Sequence, residues 1–100
     1  VITVHKYTVS LDSIPGVYHL TLSGGAELLS AANQREEAVL WARVDTNDFS
    51  TTVRKILFLE TGGNIENYGV IPNYLHFLGT ILFTNATYII HVFEVLDPGD

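Results

Sequence analysis

The stretch AELLSAANQREEAVLWARVD, residues 26–45, decides the fold. Residues 26–34 read as a strand that enters a polar turn, Gln34-Arg35-Glu36-Glu37, and returns along residues 38–45 as a hairpin. The rival reading is helical, because residues 26–41 are rich in Ala, Leu and Glu. The return segment alternates: Ala38, Leu40, Ala42 and Val44 take one face, and Val39, Trp41, Arg43 and Asp45 the other. That period of two recurs along most of the chain, and the hairpin is the reading carried forward.

Outward from this stretch, residues 17–22 set Tyr18, Leu20 and Leu22 against His19 and Thr21. Residues 53–60 set Val53, Lys55, Leu57 and Leu59 against Arg54, Ile56, Phe58 and Glu60. Residues 87–95 set Tyr88, Ile90, Val92 and Glu94 against Ile89, His91, Phe93 and Val95. The last two segments are apolar on both faces, which suits strands covered on two sides. In residues 2–10, Ile2 and Val4 are out of step with Tyr7 and Val9, so a bulge is expected near His5 and Lys6. Residues 74–83 form a further strand with Gly79 inside it, where a bulge or a close backbone approach fits. The breaks fall roughly every eight to twelve residues, the spacing of a sandwich or barrel. The longest, residues 61–73, is polar, Gly-rich and Tyr-bearing, the kind of loop in which function tends to sit.

One hundred residues make a single β domain, 1–100. Of these, 47% are hydrophobic and only 16% charged, which argues against disorder. Five basic residues face eleven acidic ones, a net charge of -6, so duplex nucleic acid and anionic membrane surfaces are disfavoured as partners. The absence of cysteine removes disulfides, thiolate metal sites and a cysteine nucleophile. No apolar run reaches the length of a membrane helix, and Val1 does not open a signal peptide. The expected fold is all-β: six or seven mostly antiparallel strands in a compact sandwich or open barrel. Its doubly apolar strands would leave a greasy face, so a homo-oligomer of at least two copies is expected to bury it.

The nucleophile elbow, the P-loop, the Gly-x-Gly-x-x-Gly fingerprint and the His-Glu-x-x-His zinc motif are all missing, and no enzyme is expected. His5, His19, His76 and His91 lack metal-ligand spacing, so no metal and no cofactor are expected. His91 and Glu94, three apart on a strand, point to opposite faces and do not form a local acid–base pair. Trp41 and Arg43 share a strand face, where an indole and a guanidinium can stack a base and meet a phosphate. They read equally as a core Trp with an Arg at its rim. Arg54 joins them if its strand is adjacent. Thr61, Gly62 and Asn64 offer donors from the loop that follows, and Tyr68 can cover a base.

An ordered set of landmarks carries a resemblance: His5-Lys6-Tyr7, Gly25-Ala26-Glu27-Leu28-Leu29-Ser30, Leu40-Trp41-Ala42-Arg43-Val44-Asp45, Thr61-Gly62, Leu78-Gly79-Thr80 and His91-Val92-Phe93-Glu94. From His5 to Glu94 the chain resembles a family of short phage-encoded proteins known only as a domain of unknown function. It departs from that pattern in turns: Ser23-Gly24 stands where Pro-Lys is usual, Gln34 to Glu37 replaces a tighter Asn-Gly-like turn, and residues 67–73 look inserted. The resemblance implies a phage anti-defence protein that sequesters a cyclic-nucleotide-type immune signal, without cleaving it, in the cytoplasm of the infected bacterial host. The alternative it leaves open is a protein-directed inhibitor of a host defence factor.

Overall fold

The hairpin reading holds in the computed structural model, which describes residues 1–96. Strand β3 (Glu27–Gln34) turns through Arg35 and Glu36 into β4 (Glu37–Asp45). Both turn residues have positive φ, 55° and 62°, the mirror-image turn whose twist matches that of the flanking strands. The register of β3 on β4 shifts between Leu28 and Ser30. This bulge brings Leu28 and Ala31 into the core although they are three residues apart, and leaves Leu29 outside. An i, i+3 apolar spacing that looks helical is thus the trace of one extra residue in a strand.

The described residues form five more strands: β1 (Ile2–Val9), β2 (Gly16–Ser23), β5 (Thr51–Glu60), β6 (Leu75–Phe83) and β7 (Tyr88–Val95). They form two antiparallel sheets, one of order β1-β4-β3 and one of order β2-β5-β7-β6. The core between the sheets takes alternate residues of the unbulged strands, among them Leu40, Ala42, Val44, Ile56, Phe58, Ile90 and Val92, and Leu78, Ile81 and Phe83 of β6. Strand β1 pairs with β4 in unbroken register from Ile2 to Val9, so the bulge expected near His5 and Lys6 is not there. Tyr7 and Val9 face the core, while Ile2 and Val4 face outward and stay exposed, which accounts for the change of phase without an inserted residue.

Gly79 meets both expectations placed on it. The register of β6 on β7 shifts between Phe77 and Gly79, and a Cβ on Gly79 would stand 2.8 Å from the Ala31 carbonyl oxygen of the facing sheet. Here β3 and β6 close one side of the sandwich.

The greasy face expected to need a second copy is covered from within. Leu57 and Leu59 of β5 and Phe93 and Val95 of β7 point away from the core, and Ile65, Tyr68 and Val70 of the long loop lie over them as a second apolar cluster. Leu57 and Leu59 are thus buried within a single chain, while Val53 stays exposed and Phe93 and Val95 are half-buried, so the long loop covers part of that face without a second copy.

Candidate functional site

The residues singled out in the sequence come to rest in three separate places. Trp41 and Arg43 do share a face, but it is the outer face of the three-stranded sheet. Lys6 lies opposite Trp41 on β1 and Ser30 lies opposite it on β3. Arg43 sits 3.6 Å from the Glu27 carboxylate, with both side chains more than half exposed. Trp41 is half-buried, neither core nor a free platform.

Arg54 does not join them. Its strand belongs to the other sheet, and its side chain points into the sandwich, where Nη1 donates to the Ala26 carbonyl oxygen at 2.7 Å and Nη2 to Glu94 Oε1 at 3.0 Å. Its Nε donates to the second Glu94 oxygen. The Glu94 side chain is only 8% exposed and that of Arg54 22%; this bidentate pair ties β5 to β7 within one sheet, and the bond to the Ala26 carbonyl reaches the turn that enters the other.

Thr61, Gly62, Asn64 and Tyr68 lie beyond the outer face of the four-stranded sheet, on the opposite side of the sandwich from Trp41. Each has a local structural task. Gly62, at φ 83°, makes the turn out of β5. Asn64 Oδ1 accepts from the Glu66 N–H at 3.0 Å and starts the short 3-10 turn Ile65–Tyr68, which Gly69 ends at φ 73°. Thr61 Oγ1 lies 2.8 Å from His91 Nε2, and the other ring nitrogen of His91 lies 3.1 Å from Thr80 Oγ1. Three landmark segments of the resemblance therefore meet at one imidazole, and a fourth, through Ala26, meets Glu94 by way of Arg54. These landmarks mark ties that hold the sandwich and its loop.

The concavity on this side is built by strand pairing. His19 of β2 is the direct cross-strand neighbour of Lys55 of β5, and Lys55 of Val95 of β7, so the three share the outer face in one row. Val17 stands in the next row, opposite Leu57. Residues 68–71 join these rows in lining a cleft of about 320 Å3, with Val17, Val70, Ile71 and Val95 as apolar wall and Tyr68, Lys55 and His19 in the same lining. The Tyr68 hydroxyl donates to the Glu60 carboxylate at 3.1 and 3.2 Å, which fixes the ring. Burial, then the hydrogen bond to Glu60 and the charge of that carboxylate, raise the Tyr68 pKa above its ordinary value.

Of the cleft residues, only Tyr68 was singled out from the sequence. His19 and Lys55 are far apart in the chain and become neighbours only when β2 pairs with β5. The legible signal is Lys55 itself, a basic residue on a face otherwise made of Val53, Leu57 and Leu59. Among the described residues, no group of three or more His, Asp or Glu side chains could hold a metal ion. No described helix is long and apolar enough to cross a membrane.

The model of a family described as "Domain of unknown function (DUF7352)" matches residues 1–99. No curated protein and no solved structure matches the chain.

Proposed function

The chain belongs to that family of unknown function, and from this premise we propose that it is a non-catalytic binding protein for a small phosphorylated ligand. One observation carries the reading: the cleft brings an aromatic ring, two adjacent basic side chains and an apolar wall into one concavity of ligand size. Lys55 supplies charge for a phosphate with His19 beside it, and Tyr68 and Val70 offer a surface to a base or other planar group. The non-catalytic part rests on the missing enzyme motifs and on His91, whose two ring nitrogens are both engaged by threonine hydroxyls. The finer reading, sequestration of a cyclic-nucleotide-type immune signal for a phage in its host's cytoplasm, rests on the resemblance of the sequence landmarks alone.

The test is a thermal-shift screen against cyclic di- and trinucleotides and ADP-ribose derivatives, followed by heating the complex and identifying what is released. A ligand at 100 times its dissociation constant adds about 2.7 kcal/mol to stability and is recovered intact. Recovery of a cleaved product counts against the reading, and so does a flat screen.

A second reading, a protein-directed inhibitor, is favoured by a different observation. Strand β1 is an edge strand in unbroken register, with Ile2 and Val4 exposed, and Phe49 is 91% exposed in the β4–β5 loop. An unprotected edge can accept a strand from another chain. Self-association through these surfaces belongs to the same proposal, and light scattering that returns the monomer mass at micromolar concentration contradicts it.

A further inference from the structure

We infer that strand β1 continues the three-stranded sheet into that of a second copy of this chain, antiparallel about a two-fold axis at Thr3. The inference rests on the second reading above, that β1 accepts a strand, and names the strand.

The direction of the β1 backbone carries it. The Thr46 N–H donates to the Val1 carbonyl at 2.9 Å, one step beyond the pair of Ile2 with Asp45. In an antiparallel ladder the residues that exchange bonds with the neighbour alternate, so Val1 and the other odd residues of β1 bond to β4. Ile2, Val4, Lys6 and Thr8 therefore turn their N–H and C=O groups to the open side, where no other described strand pairs with β1. This edge lacks the usual protection. Its register is unbroken, it contains no proline and no carboxylate, and Ile2 and Val4 are exposed on it. The other edges differ. Strands β3 and β6 are bulged and meet each other at Ala31 and Gly79, and β2 has no exposed large apolar side chain.

Complementarity makes a second copy the occupant. About a two-fold axis, even residues of one β1 meet even residues of the other. With the axis at Thr3, Ile2 of each copy lies opposite Val4 of the other, and the exposed apolar side chains cover one another. The flanking charges agree. Asp45 stands beside Ile2 and Arg43 beside Val4, so each of these rows across the joined sheet carries Asp45 of one copy and Arg43 of the other. An axis at Val4 instead puts the two Arg43 side chains in one row, and an axis at His5 sets Val4 against Lys6. Each copy carries a net charge of -6, and contact meets least repulsion at an edge without carboxylates whose rows match acid with base.

The chain has no cysteine, so single cysteines report the register. Thr3 faces its own copy in a pair without hydrogen bonds, with Cα atoms about 4.5 Å apart, within the range that a disulfide spans. Thr3→Cys is expected to form a covalent dimer under mild oxidation, and His5→Cys, at a more exposed position, to form little of it. Sedimentation of the parent chain at micromolar concentration is expected to show the dimer. Val4→Pro removes an N–H that β4 does not use and is expected to return a monomer whose circular dichroism is that of the parent. Ile2→Lys, placed beside Asp45, keeps the backbone and is expected to weaken the dimer about tenfold or more. A parent chain that stays monomeric, a dimer that folded V4P or I2K leaves intact, or His5→Cys cross-linking as readily as Thr3→Cys overturns the inference. With a monomeric parent, a short lysine-tailed peptide of alternating Val and Thr separates the two readings. Shifts of the Ile2 and Val4 amides in two-dimensional NMR then keep β1 as a strand-accepting edge for other chains, and their silence removes that reading as well.

Discussion

Arg54 shows how a residue changes meaning between sequence and structure. As one of only five basic residues it read as a ligand cation, yet it spends all three donor groups on Glu94 and the Ala26 carbonyl. Nothing local announces this, because Glu94 lies forty residues away and the two meet only across the β5–β7 pairing. Arg54→Ala leaves a nearly buried carboxylate without its partner and is expected to cost about 3 kcal/mol in urea unfolding. Arg43→Ala removes an exposed contact to Glu27 and is expected to change stability by no more than about 0.5 kcal/mol, with ligand binding untouched. Gly79 was legible because a glycine inside an apolar strand asks for a reason, and the Ala31 backbone of the other sheet is that reason. Gly79→Ala forces the sheets apart at 2.8 Å and is expected to destabilise by about 1–3 kcal/mol.

The strands and the turns between them are legible in the alternation and its breaks, and the bulges only in part. The alternating stretches 17–22, 38–45, 53–60 and 87–95 match β2, β4, β5 and β7 to within two residues at either end, because one core buries a period-two face of each. The bulge in β3 was invisible, because a register shift depends on the partner strand, and the bulge assigned to β1 was a misreading of two exposed apolar residues. The two hairpin turns also hold a tie that no local pattern contains. Glu36, in the β3–β4 turn, accepts the Thr84 N–H of the β6–β7 turn at 2.9 Å and Asn33 Nδ2 at 3.1 Å, while Asn33 Nδ2 also donates to the Leu82 carbonyl at 2.8 Å. The bond from the Thr84 backbone, then that from Asn33, holds the Glu36 carboxyl below its ordinary pKa. A depressed folded-state pKa contributes stability above the unfolded-state value and loses it as pH falls through the folded one. Glu36→Gln is therefore expected to lower the melting temperature at neutral pH. The gap to the parent narrows as pH drops below the ordinary glutamate range, and a gap unchanged down to strongly acid pH contradicts the assignment.

At the scale of the whole molecule, the sandwich buries one core between its sheets and a second under its own long loop, and the cleft is lined by residues of β2, β5, β7 and that loop. Composition and alternation made the two sheets legible; the cleft was not, because it is assembled from β2, β5, β7 and a loop whose course only the packing decides. The account's central claim is that the ligand sits here, against Lys55 and Tyr68, and not on the Trp41 face. Backbone amide and indole resonances followed by two-dimensional NMR during titration with a ligand found in the screen test this most directly, since the single Trp reports the far side of the sandwich. The account predicts shifts at Val17, His19, Lys55 and residues 68–71 with the Trp41 indole N–H unmoved. Shifts centred on Trp41 and Arg43, with the loop silent, would contradict it.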